Sequence, residues 1–226
     1  IEIEGPLYDE WPPKSTQTIF PDGLTKANEN LDSAHQVFAQ LLPRAFRRPI
    51  ENAEIERHVA IVRTGLIQGD TFVEAMKSGL VAMLCSPSFI YLFEPGEDRQ
   101  RNLNNYELAS RLSYFLWSTM PDAELFDLAK QGKLRYSETR DKQVDRMLAD
   151  PKAEALISGF ATQWLKADEF DRFTPDMNLY RDFYAVQNRG VNADMNREPL
   201  EVFREVLKND LSLLNFLDSD WTMLNS

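Results

Sequence analysis

Residues 102–129, NLNNYELASRLSYFLWSTMPDAELFDLA, decide the fold class. On a helical wheel at about 100° per residue, Tyr106, Leu108, Ala109, Leu112, Phe115, Leu116, Trp117 and Met120 cover most of the circumference. Glu107 and Arg111 share one narrow stripe with Ser118. A helix that is apolar on nearly every side is a buried one, so 106–120 is predicted as the core helix. Charges and serines interrupt the run, and about 20 consecutive apolar residues are needed to cross a membrane. Asn104 or Asn105 caps its start by accepting from a free backbone N–H. Pro121 ends it, because proline lacks an N–H and disfavours helical geometry at Met120. The same proline suits the first turn of a second helix, with Asp122 and Glu124 at its positive end. Leu125, Leu128 and Ala129 line one face of that helix, which stops near Gly132. The product is a helix–turn–helix corner.

Outward from this corner the same period recurs. Leu31 to Phe46 has helical spacing, with Pro43 placed to kink it. Glu51 to Gln68 carries Ile55, Val59, Val62 and Leu66 on one face, and Gly69 is a suitable stop. Thr71 and Glu74 form a capping box ahead of Val73, Met76, Leu80 and Met83. Phe89 to Phe93 is too short to type by period, and 94–101 reads as a polar loop. Beyond the corner, Ser137 caps a helix with Val144, Met147 and Leu148. Asp150-Pro151 starts another bearing Leu156, Ile157, Phe160, Trp164 and Leu165. Leu179 to Val186 reads as a short helix and Glu198 to Lys208 as a longer one. Residues 1–30 read differently. Ile1 to Glu4 alternates like a strand, Trp11-Pro12-Pro13 is extended, and Pro21-Asp22-Gly23 is a turn. The expected fold is all-α, a multi-helix bundle-like array with a short extended N-terminal arm anchored by Trp11 and Phe20. The expected parts are the arm at 1–30, a first domain of three helices at 31–94, and a second helical domain at 102–226.

Composition narrows the function. The 226 residues are 43% hydrophobic and 11% aromatic, enough for a packed core. Against 36 acidic residues stand 25 basic ones, a net charge of −11, which does not suit nucleic-acid binding. Cys85 is the single cysteine, so there is no internal disulfide, no CxxC and no haem-attaching CxxCH. Beside Met83 and Leu84 it reads as a buried, inert thiol. His35 and His58 fall in different helices without a second ligand at i+3 or i+4, so no metal site is expected. No nucleophile elbow, phosphate loop or dinucleotide fingerprint occurs. The acids at 94–98 and 168–176 lack calcium-loop spacing and read as solvated loops. No catalytic residue emerges, although carboxylate pairs formed in space stay open.

Two charged groups are candidate interaction or structural residues. Arg44, Arg47 and Arg48 are the densest basic cluster. They suit either an acidic partner or, as the plainer reading, a helix C-terminus with acids nearby. Glu107 and Arg111 lie four apart and meet on one helix face. In so apolar a helix the pair is expected to be partly buried. Arg111 would then bond a carboxylate or helix-end carbonyls and align the two halves of the chain.

Asn105 to Ser118, followed by Met120-Pro121-Asp122, resembles the helical domains of unknown function found in large planctomycete-type cytochrome c proteins. Gly5-Pro6 with Trp11-Pro12-Pro13 resembles the segment entering those domains. Arg44 to Pro49 and Ser86 to Tyr91 resemble the first domain. Phe160 with Gln163-Trp164-Leu165, and Asp220 to Asn225, resemble the second. Pro199 departs from the pattern and predicts a kink or a late helix start, and the family continues past Asn225 into further domains. The resemblance implies an exported, periplasmic protein with no cofactor in this chain and haem c elsewhere in its parent. Its implied partners are other domains of the same polypeptide and redox proteins, with no nucleic acid and no membrane span. The expected function is a structural and docking module in electron transfer. The alternative is an enzyme domain, oxidoreductase or carbohydrate-active, with carboxylates and tryptophans in a groove.

Overall fold

A computed structural model describes residues 13–20, 29–92, 102–169, 176, 178–179 and 191–223. It is all-helical, with no strand among the described residues. The chain divides between Ser110 and Arg111 into two compact units.

The first unit is built on α1 (Lys14–Ile19), α2 (Leu31–Phe46), α3 (Asn52–Gln68), α4 (Phe72–Leu84) and α5 (Pro87–Ile90). Asn30 caps α2 by accepting from Ser33 N at 2.9 Å. That helix runs through Pro43 and ends where Arg47 turns left-handed, φ 57°. Gly69 closes α3 at φ 97°, a conformation glycine adopts without a Cβ penalty. Thr71 and Glu74 form the expected capping box of α4. The apolar faces of α2, α3 and α4 meet around Phe38, Leu42, Val62 and Met76.

Two expectations are corrected in this unit. Lys14–Ile19 is helical where an extended arm was expected, with Pro13 just before its first turn. Ile19 and Phe20 then pack against the core, so Phe20 is an anchor as predicted. Cys85 is exposed, because it sits past the last turn of α4, whose end points away from the core. The strand expected at Ile1–Glu4, the anchor Trp11 and the loop 94–101 lie outside the described residues.

The boundary between the units falls inside α6 (Asn105–Trp117). Ala109, Ser110, Ser113, Leu116 and Trp117 are its buried face. The expectation of burial all round is therefore corrected, since Phe115 is 56% exposed. The helix also stops earlier than Pro121 suggests. Ser118 takes φ 51°, and Asp122 caps α7 (Ala123–Lys130) by accepting from Leu125 N at 3.0 Å. Pro121 thus precedes the cap instead of occupying the first turn.

The second unit continues through α8 (Ser137–Ala149) into a longer helix, α9. Its three sections follow without a break: Glu154–Leu156, a π-helical Ile157–Ala161, and Thr162–Leu165. Asp150 caps the short turn before it by accepting from Lys152 N at 2.8 Å. The last helix, α10 (Val191–Lys208), begins before the expected Glu198 and runs through Pro199. A proline removes one backbone hydrogen bond, and the apolar face with Leu200, Phe203 and Leu207 holds α10 against α9 regardless. The helix expected at 179–186 lies outside the described residues, apart from a turn at 178–179.

Candidate functional site

The corner motif is organised around Trp117. The ring is 3% exposed, and its Nε1 donates to Met147 O at 2.9 Å. The Arg146 guanidinium lies 5.4 Å and the Lys152 ammonium 4.5 Å from its centroid. Cations over an indole face are held by the ring quadrupole. Arg146 donates to both oxygens of Asp122, at 2.8 and 3.3 Å, and through Nε to Gln143 Oε1 at 2.9 Å. Gln143, 6% exposed, donates in turn to Glu124 Oε1 at 2.7 Å. Burial pushes the Asp122 carboxyl up, but the Arg146 fork, the Leu125 N–H and nearby Lys152 outweigh it and hold it below its ordinary 3.8. Burial likewise pulls Arg146 down, and its bond to Asp122 with the charges of Asp122, Glu124 and Asp150 raises it overall. Every charge here has an opposite neighbour. Such a network ties α6, α7 and α8 together.

The sequence candidates are placed as follows. Glu107 turns back to the start of α6 and accepts from Asn104 N at 2.7 Å, while Asn104 Oδ1 accepts from Tyr106 N and Glu107 N, each at 2.9 Å. It is thus one side of a capping box. Arg111 is exposed, which corrects the expectation of partial burial; the charged stripe of α6 is on its outer side. Arg44 is exposed as well. Arg47 is 7% exposed and donates to Ser88 O at 2.8 Å, Phe89 O at 3.1 Å and Tyr91 O at 3.0 Å. The four-residue helix α5 is held at its C-terminal carbonyls by this one guanidinium. Arg48 donates to Glu54 at 2.7 and 2.9 Å, and that bond holds the Glu54 carboxyl below its ordinary 4.5. Although Arg47 and Arg48 are neighbours, they serve different partners, and the three arginines do not form one anion site.

Both histidines are engaged inside the first unit. His35 Nε2 lies 3.1 Å from Asn52 Oδ1 and 3.5 Å from Glu56 Oε1. His58 Nδ1 lies 2.9 Å from Glu54 O, and its ring packs on Phe38 and Phe46. In each case one ring nitrogen is held by an oxygen of the same unit.

The feature that sequence reasoning missed is on the second unit. Phe115, Phe160 and Trp164 are 56%, 42% and 53% exposed and form a continuous series of ring contacts. Phe115 meets Phe160 edge-on at 5.7 Å, and Phe160 stacks on Trp164 at 5.8 Å and 14°. Trp164 then meets Phe216 at 5.5 Å and Phe203 at 6.3 Å. The π-helical section carries Phe160, and π segments occur often at functional sites. Beside the rings is a cavity of about 120 Å³, walled by Phe203, Val206, Leu207, Leu213 and Phe216, with Asp210 as its charged lining residue. A signal was present: Phe160 and Trp164 are i and i+4 on one predicted helix. Apolar spacing alone does not tell an exposed ring from a buried one.

Two family models match most of the chain. Residues 103–226 match the PSD4 model, described as a protein of unknown function (DUF1592). Residues 33–94 match the PSD5 model, a protein of unknown function (DUF1595). The first match covers more than half of the chain, so the chain belongs to the PSD4 family. These two domains are the planctomycete cytochrome c-associated ones that the motifs resemble. No curated protein and no solved structure matches the chain. No helix among the described residues is long and apolar enough to cross a membrane.

Proposed function

We propose that this chain is a structural and docking module of an exported, haem-bearing multidomain protein that acts in periplasmic electron transfer. The observation that carries the reading is the contrast between the motif and the surface. The charges of the motif are spent on one another around buried Trp117, whereas Phe115, Phe160 and Trp164 are left at the surface as connected aromatic rings. Contiguous exposed apolar area of this kind marks interaction sites, and aromatic side chains are the usual anchors of interfaces. The company this family keeps supports haem in other parts of the parent polypeptide.

The enzyme reading has less support. It calls for two close carboxylates in a groove beside a tryptophan. Beside Trp117, Asp122 is forked by Arg146, and the ring is buried. Beside Trp164, the cavity has a single carboxylate, Asp210. A sugar platform needs open ring faces, and Phe160 covers one face of Trp164.

The test uses the haem-bearing parent protein with Phe115→Gln and Trp164→Gln. Both side chains are more than half exposed but give up ring contacts, each contributing about 0.5–1.5 kcal/mol, so the kinetics are read well below the melting temperature of the double variant. The expected result is slower haem reduction by the redox partner while the variant is still fully folded. Unchanged reduction kinetics in the double variant would overturn the proposal.

A further inference from the structure

We infer that the cavity beside the aromatic face receives a basic protein segment that inserts one apolar side chain between α10 and the turn Leu213–Phe216. The inference rests on the docking reading above and names the chemistry of the partner. The cavity, at about 120 Å³, compares with cavities of roughly 150 Å³ that hold one benzene ring. It is therefore of the size of a single apolar side chain such as leucine. Phe203 and Phe216 belong both to its wall and to the ring cluster, so an inserted side chain extends the aromatic contacts already made.

Its surroundings select the partner. Leu213, which lines the cavity, is 75% exposed, and its chain neighbours Leu214 and Leu217 are 68% and 86% exposed. From 205 to 220 the carboxylates are Glu205, Asp210, Asp218 and Asp220, against the single cation Lys208. Lysine and arginine meet both demands at once, because their stems cover leucines while their charges reach carboxylates. Charge complementarity of this type also steers encounter. An anionic lipid surface is repelled by the same carboxylates. A second copy of this chain, at net charge −11, is repelled as well.

The experiment titrates the full chain with a fluorescein-labelled helical peptide of leucine and lysine, followed by anisotropy at low and high salt. A leucine–glutamate peptide and phosphatidylglycerol vesicles are the comparisons. Two variants keep the fold: Leu213→Asn changes an exposed side chain, and Asp210→Asn suits a left-handed backbone at φ 48°. The expected result is saturable binding of the leucine–lysine peptide, weakened about tenfold by Leu213→Asn. Asp210→Asn weakens it about threefold and flattens its salt dependence. The inference is overturned if that peptide does not bind, if the leucine–glutamate peptide binds equally, or if Leu213→Asn leaves the affinity unchanged. Vesicle binding that Leu213→Asn abolishes also overturns it, in favour of a membrane surface. In the parent protein, Leu213→Asn slows haem reduction if the inference holds. If Phe115→Gln and Trp164→Gln slow it while Leu213→Asn does not, the cavity inference fails and the docking reading stands.

Discussion

Arg146 has more partners than the other side chains of the corner motif. It forks Asp122, bonds Gln143 and lies over Trp117. Removing it takes away the fork on Asp122 and one of the two cations over the indole, while Lys152 stays above the ring. With its side chain 30% exposed, solvent replaces part of what is lost, so Arg146→Met should cost about 1–2 kcal/mol in thermal unfolding. Arg146→Lys should restore little, since one ammonium cannot reproduce the fork. Arg111→Met, on the exposed stripe of α6, should stay within about 0.5 kcal/mol of wild type. Equal melting of Arg146→Met and wild type, or a larger loss in Arg111→Met, would contradict this assignment. The two arginines also show what the sequence discloses at this scale. Glu107 and Arg111 attract notice because they are four apart. Arg146 meets Asp122 across a separation of 24 residues, and no periodic rule pairs them. The capping roles of Asn104 and Thr71 were legible because each cap reaches only three residues.

Helix existence follows from apolar period, and helix ends follow from backbone conformations that the period does not contain. Arg47, Ser118, Lys166 and Asp210 all take positive φ at or just beyond a helix end without being glycine. A sequence reader looks for glycine there and finds it only at sites such as Gly69. Pro199 misleads in the opposite sense where it suggests a late start, since α10 begins at Val191 and passes through it, as α2 passes through Pro43. The exposure of the α9 rings is hidden for a third reason: a π-helical section shifts the register on which a wheel depends. Packing between helices is tested at Gly79 of α4. A Cβ there would lie 2.7 Å from the Phe38 ring and 3.2 Å from Val62 Cγ2. Phe38 is fully buried and cannot swing away. Gly79→Ala should therefore destabilise by about 1–3 kcal/mol through overpacking, despite the better helix propensity of alanine. A thermal melt at or above the wild-type temperature would show that α4 does not approach α2 and α3 so closely.

Across the molecule, the lowered carboxyls predict an acid limit. Glu54 is held down by Arg48, and Glu201 by Arg204 and Arg197. Asp122 is raised by burial but lowered more by Arg146 and the Leu125 N–H. In each case the folded pKa lies below the ordinary value, 4.5 for the glutamates and 3.8 for the aspartate. The unfolded chain therefore binds more protons than the folded one on the acid side. Their contribution is fully present above the ordinary values and is lost as pH falls from about 4.5 through the lowered ones. Melting temperature should fall over that window, and less steeply in Arg146→Met. A melting temperature that holds or rises on acidification contradicts this. All-α class, family and the corner helices were readable at this scale, because each rests on long stretches of pattern. The docking face was not, because exposure is a property of the folded surface.

That face is the central claim, and hydroxyl-radical footprinting tests it most directly. Oxidation rates of Phe115, Phe160 and Trp164 are compared between the isolated chain and the proposed haem-bearing parent in complex with the proposed redox partner. Tyr136, 60% exposed and away from the ring series, is the reference. The account predicts that the three rings oxidise readily in the isolated chain and are protected together in the complex, while Tyr136 is unchanged. Equal oxidation of all three rings in the two states would contradict it.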